Sequence, residues 1–390
     1  MYKFKPFVFT INETQSKKRP KPRSGHRIVC DRKNLYSYGG FNPCILDRDP
    51  DMINDRIWRS SKPLFKEIWK FNFVTQEWKL LPGRDNMPNE LASNAVILRG
   101  NTLMVHGGTG VPFGHTCSNH LYMYDVNSGK IYKVSPKGDL PEPLYGQALI
   151  YHELYLYTVG GTTGYEYTCD IYRFDLRTHF WESVYICSGK DQSEPIGRYR
   201  HELAFDGKLI YVLGGGTATD SFGFAEIPAF DLETKKWIVL NTFGDNNDNT
   251  FPQPRRCHGS VQYTDDKTGI TSVVISGGYN GDNHIFSDVW RLDLNHLQWT
   301  CLRKCRLPRP VYFHSAALTP EGCMYTFGGI IKENDKIVRT AAVYCVWLTI
   351  PKLSEMCWQA LIYYYPDIGH RSQDELLNMG IPLKFVQRVL

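Results

Sequence analysis

Arginine and histidine recur in this sequence inside one local frame. The stretches RSGH, RYRH and RRCH set His26, His201 and His258 three residues after Arg23, Arg198 and Arg255, with Arg200 and Arg256 between. Counted back thirteen or fourteen residues from a repeated Gly-Gly doublet, or nineteen in the fifth repeat, one polar position holds His26, Ser93, Gln147, His201, His258 and His314. Imidazole, amide and hydroxyl groups both donate and accept hydrogen bonds, so such a set either ties neighbouring repeats together or lines a polar ring. The arginines pose a sharper question. Arg198, Arg200, Arg255 and Arg256 fall in two adjacent repeats, and Glu202 is the carboxylate nearest to them in sequence. Clustered guanidinium groups withdrawn from water need anionic partners, and their planar fork suits a carboxylate. The expected ligand is therefore an anion, with a chain-terminal carboxylate fitting best.

The sequence carries none of the familiar catalytic constellations. The sequence has no HExxH, no CxxC pair and no GxSxG elbow, and GGGTATDSFG lacks the Gly-Lys-Ser/Thr ending that grips phosphates. Binding is expected over catalysis, with neither metal nor cofactor. An enzyme whose ligands converge from distant positions is the alternative that bound metal or turnover would reveal.

The positioning elements follow from internal repeats. An apolar, β-rich run ending in Gly-Gly occurs six times, with doublets beginning at Gly39, Gly107, Gly160, Gly214, Gly277 and Gly328. Most are followed by an aromatic-bearing strand and then a Trp-bearing one, as in EIWKFNFVTQEWKLL and DVWRLDLNHLQWTCL; the second repeat has Tyr132 in the Trp place. Each unit offers about four short strands, too few to cover both faces of its own sheet, so six units arranged radially cover one another. The pattern resembles the kelch repeat over roughly residues 20–350. The expected fold is all-β: a six-bladed kelch propeller at residues 23–350, an N-terminal segment at 1–22, and a helical tail at 351–390. Because the last repeat lacks a Trp strand, the FVFTI run at Phe7–Ile11 is expected to supply its outer strand and close the ring. Loops after the glycine pairs carry Tyr165, Phe222 and Tyr279 as candidate walls of a central pocket.

Composition bounds the rest. Of 390 residues, 42% are hydrophobic and 14% aromatic, ample for a core. A net charge of +5, from 45 basic against 40 acidic residues, does not by itself point to nucleic acid. The single basic run, KKRPKPR at Lys17–Arg23, reads as a solvated linker. Eleven cysteines are scattered singly, several in apolar runs, which fits free thiols in a reducing compartment. With no secretory signal and no span of about 20 apolar residues, the expected location is the cytoplasm, with the nucleus as a second compartment.

After Ile350 the β pattern ends. Leu353, Met356, Cys357, Ala360 and Leu361 share one helical stripe, SQDE opens a second helix with a capping box from Ser372 to Glu375, and Gly380 then Pro382 punctuate a third. Such short helices must pack on the propeller, on a partner, or on both. The spacing Leu353-xxx-Cys357-xxx-Leu361, followed by Ile381-Pro382 and Phe385, resembles the tail of kelch substrate receptors of cullin 2 ubiquitin ligases. Lys352 departs from that pattern, which has a small residue or proline there. The resemblance implies an adaptor that binds Elongin C, and with it Elongin B, through Leu353, Cys357 and Leu361, and cullin 2 through Ile381 and Pro382. Its substrates would be proteins with glycine-ending C-termini, held by Arg198, Arg200, Arg255 and Arg256 with Tyr165 and Tyr279 alongside. The competing reading is a kelch scaffold, cytoskeletal or signalling, with no ligase link.

Overall fold

A computed structural model describes the chain except Gln15, Asp47, Arg48 and Leu390. Six sheets stand around one axis, antiparallel except for a short parallel edge strand, Lys137–Gly138, on blade 3. Blade 1 comprises Arg27–Cys30, Asn34–Tyr38, Ile68–Asn72 and Trp78–Leu80; blades 2 to 5 repeat this order, beginning at Ala95, Ala148, Glu202 and Gly259. Blade 6 takes Ser315–Leu318, Cys323–Phe327 and Val343–Trp347 from the last repeat and Thr10–Ile11 from the start of the chain, the latter paired antiparallel to Val343–Trp347. The first strand of each blade lies innermost, beside the first strands of both neighbours.

Aromatic pairing explains why the blades form. Phe71 faces Trp78, Phe174 faces Trp181, Phe230 faces Trp237 and Leu292 faces Trp299 across the third and fourth strands, and all eight are buried. In blade 2 the residue facing Tyr124 at this place is Ile131, while Tyr132 is largely exposed, so the substitute for Trp is Ile131 and not Tyr132. Aspartates at the following corners fix the hairpins: Asp175, Asp231 and Asp293 each accept backbone N–H bonds from the residues two and three ahead.

The glycine doublets sit where blades touch. A Cβ on Gly160 would lie 2.8 Å from the His201 ring of the next blade, and one on Gly215 would lie 2.6 Å from Cβ of His201 in its own blade. The first glycine thus clears the neighbour's ring residue and the second clears its own.

Several elements were not expected. Helix α1 (Arg56–Ser61), capped by Asp55, lies in a long insertion of blade 1, and a ribbon of Ile330–Glu333 and Lys336–Arg339 rises from blade 6. The tail folds into α2 (Leu353–Tyr364), a 3-10 turn (Pro366–His370), α3 (Gln373–Asn378) and α4 (Leu383–Val386), with the Ser372–Glu375 capping box formed. Trp358, Ile368, Leu376, Ile381, Phe385 and Val386 make a small core with Val74 of blade 1. No helix among the described residues is long and apolar enough to cross a membrane, and the eleven cysteines are unbridged.

Candidate functional site

The axis is closed by backbone. The N–H of Ser93 donates to Gly25 O (2.8 Å), Gly146 to Ser93 (2.9 Å), Arg200 to Gly146 (2.7 Å), Cys257 to Arg200 (3.1 Å), Phe313 to Cys257 (3.0 Å) and Gly25 to Phe313 (3.4 Å). One residue from each blade contributes, all six at positive φ, and the hydrogen bonds run head to tail around a closed circle. This frame corrects the polar position in blade 2. Ser93 belongs to the axial circle with Gly25 and Arg200; the equivalent of His26 and His201 is Asn94, which packs against the second glycine, Gly108.

Four of the polar ring residues serve as blade-to-blade clasps. His26 bonds Phe327 O (3.0 Å), His201 bonds Val159 O (3.1 Å) and Gln147 donates to His106 O (3.1 Å), in each case in the preceding blade; His314 pairs with Ser276 Oγ (3.2 Å). His258 is equally buried, but neither of its ring nitrogens has a hydrogen-bond partner. Burial first, then nearby arginines, holds His26 and His258 well below the ordinary histidine range and lowers His201 to about 3; burial and Arg27 lower His314 to about 4. These rings are neutral at pH 7 and deep between blades.

The arginines divide into three kinds. Arg23, Arg198 and Arg255 occupy one place in blades 1, 4 and 5. Each donates to the carbonyl of the residue two before it and to the first glycine of its own doublet, and each stacks on an aromatic ring, Phe65, Phe222 or Phe286. Arg23 also meets Glu67 (2.7 Å), and Arg255 binds both oxygens of Asp288, of which Oδ2 also accepts from Trp290 Nε1. Arg255 is therefore neutralised inside its own blade rather than free for a ligand, and Glu202 is engaged elsewhere, across the channel with Arg27 (2.6 Å). Arg198 donates to two carbonyls and stacks on Phe222, with no carboxylate partner among the described residues, so its chief contacts are also structural.

Arg256 is the second kind. It donates to the carbonyls of Thr217, Ala218 and Asp220, holding the loop after the glycine pair of blade 4.

Arg200 stands apart. It lies on the axial circle, reaches from blade 4 to Ser93 Oγ of blade 2 and covers the Phe313 ring of blade 6. It is 4% exposed, its Nε has no partner, and no carboxylate pairs with it among the described residues. Burial, reinforced by Arg27, lowers its pKa to about 10. Around it stand half-buried rings: Tyr145 and Tyr167 edge or tilt against Tyr199, and Tyr279 stacks on Tyr312 at 5.0 Å. Arg339 of the blade 6 ribbon, over Phe41 and bonded to Ser24, adds a cation with no carboxylate partner among the described residues. Together these form a shallow aromatic bowl floored by one orphan guanidinium. Tyr165 is 76% exposed, outside the stacked set. A groove of about 700 Å³ lies apart from this bowl, between residues 11–22 and the blade 6–blade 1 edge; its Lys21 is held by Asp49 and Asp51.

The tail sits at the opposite end. It touches Val74 and Thr75 at a corner between third and fourth strands and Glu321 in a first hairpin, whereas the bowl is built from the loops at the other ends of those strands. On α2 the buried face carries Glu355 and Trp358, not the expected stripe; Leu353 is 73% exposed and Cys357 is exposed, with Leu361 partly buried. Ile381 is buried in the tail's own core, so it supports the tail rather than facing a partner, while Pro382 is exposed.

A six-bladed ring with glycine doublets, Trp-paired outer strands and a loop-built bowl defines a kelch-repeat propeller, a protein-interaction scaffold. Residues 57–271 match the family described as the KLHDC2/KLHL20/DRC7 Kelch-repeats domain. The chain is 42% identical over its whole length to the Kelch domain-containing protein 10 homolog of Drosophila melanogaster, of which it spans 66%, slightly under two thirds. It is 39% identical to Kelch domain-containing protein 10 of Xenopus laevis (96% of this chain, 87% of the relative) and of Homo sapiens (98% and 83%). The chain belongs to the kelch domain-containing protein 10 family.

Proposed function

We propose that this protein is a substrate-recognition subunit of a cullin 2 ubiquitin ligase, taking glycine-ending C-termini in its bowl and docking Elongin C through α2. The observation that carries the reading is Arg200: a buried guanidinium with a free Nε and no carboxylate paired with it, at the floor of an aromatic bowl. A buried cation without a paired counter-ion is stabilised by an incoming anion, and the closed axial circle beneath it leaves room for the end of a chain, not for a threaded one. A terminal glycine has no side chain to clash with the crowded floor. The exposed Leu353 and Cys357 supply a face for Elongin C on the end remote from the bowl, which separates substrate from ligase. The chain itself performs no chemistry in this reading.

Peptide binding by fluorescence anisotropy tests the bowl. A glycine-ending peptide is expected to bind, its C-terminal amide to bind at least about tenfold more weakly, and Arg200→Ala to abolish the difference. Equal binding of acid and amide by the intact protein overturns the reading. Co-purification of Elongin C with the intact chain, and its loss in a Leu353→Ala, Cys357→Ala double variant, tests the tail. A scaffold without ligase partners is the second reading. It draws on the burial of Ile381, which makes part of the tail a structural element.

A further inference from the structure

The ring closes through a short strand. Thr10–Ile11 is two residues long and exposed, and its pairing with Val343–Trp347 is extended by Phe7 N–H to Trp347 O and Asn12 N–H to Val343 O, both 2.9 Å, by Thr10 Oγ1 against Cys345, and by Phe7 and Phe9 packed on the blade 6 core. Short, solvent-exposed edge strands open locally at low free-energy cost. The tail grips both sides of this seam. On blade 1, Val74 enters the tail core, Asn72 Nδ2 donates to Arg388 O (3.2 Å), and Gly369 packs so closely that a Cβ would lie 2.8 Å from Thr75 Cγ2. On blade 6, Arg388 binds Glu321 (3.1 Å) in the first hairpin while also holding the buried Glu355 of α2 (2.7 Å), and Arg32 of blade 1 meets the same Glu321 (3.3 Å).

A third grip reaches the closing strand's own segment. Tyr2 N–H donates to Tyr364 Oη at the end of α2 (2.7 Å), its ring tilts against Tyr363, and Phe4 lies on Trp347. Tyr364 falls on the same side of α2 as Leu353 and Cys357, since eleven residues of helix return to within about 20° of the starting direction.

We propose that the helical tail is a staple across the blade 6–blade 1 seam, coupling α2 to the strand that closes the ring. Loosening the tail frees the strand, and by linkage a protein clamped on the outer face of α2 tightens it. This goes beyond the ligase reading and is tested without any partner.

Amide hydrogen exchange on the full chain reads the coupling. Arg388→Ala removes the ion-pair grip and Tyr364→Phe removes the hydrogen-bond acceptor at an exposed position. Both are expected to speed exchange at Phe7 and Asn12, by about tenfold for Arg388→Ala, while Leu209–Leu213 in blade 4 stays protected. Faster exchange within Leu353–Tyr364 with Phe7 and Asn12 unchanged would overturn the proposal. If Arg388→Ala speeds exchange throughout the chain, Tyr364→Phe decides: acceleration confined to Phe7 and Asn12 supports the staple, and none there refutes it.

Discussion

Arg23 and Arg200 are both buried, yet truncation should affect them in opposite ways. Arg23→Ala takes from Glu67, which is almost fully buried and shared with Trp69 Nε1, its nearest cation and leaves it Arg84 at 3.7 Å. Leaving a buried charge without its partner typically costs about 3–5 kcal/mol, so a marked fall in thermal midpoint is expected by calorimetry. Arg200→Ala removes a cation that lacks a counter-ion, so the midpoint should hold or rise while C-terminal peptides cease to bind. A large drop in stability with peptide binding intact would remove Arg200 from the site. At this scale the sequence was readable only in part. It displayed the arginines, but the carboxylates that neutralise two of them, Glu67 and Asp288, lie far along the chain, beyond strands that only the fold brings back. Arg339 gave no signal, because it sits in a ribbon outside the repeat frame.

The repeated elements were legible because steric need leaves a fixed mark. Only glycine clears the ring residues at the blade contacts, and so the doublets announced six blades. Register was less secure: the hairpins differ in length from blade to blade, His258 standing nineteen residues before its doublet against thirteen for His26, and in blade 2 Ser93, fourteen before its doublet, was read in place of Asn94 at thirteen. The tail misled for a different reason. An apolar stripe suggests a buried face, but Trp358, one residue off the stripe, has more area to bury, and it turned Leu353 and Cys357 outward. Two substitutions separate these faces. Trp358→Ala should unfold the tail, with a loss of about 3–5 kcal/mol from its local stability and rapid proteolysis after residue 350. Cys357→Ala should leave thermal unfolding unchanged and weaken only partner capture. Similar proteolysis of both variants would mean that the outward face is itself a packing face.

Across the whole molecule, the neutral histidine clasps tie the ring to pH. In the unfolded chain each histidine takes up a proton near pH 6.5, whereas in the fold His201 and His314 stay neutral down to about 3 and 4. Between these limits the unfolded state binds more protons, so stability rises with pH and falls on acidification below about 6.5, by about 1.4 kcal/mol per pH unit for each such histidine. Chemical denaturation at pH 7 and pH 5 should show this loss. His201→Gln should reduce it by one proton's worth, since Gln147 already fills the same place in blade 3. Equal stability at the two pH values would show that the clasps admit water. The axial circle has a consequence of another sort. Its hydrogen bonds are made wholly by main chain, and its six members carry no side chain, a hydroxymethyl, a guanidinium, a thiol and a benzyl group on one shared conformation. The mount is indifferent to what it displays, provided the residue tolerates positive φ. A propeller built this way is free to exchange the chemistry at its floor, and with it the kind of ligand it accepts, while every blade stays where it is.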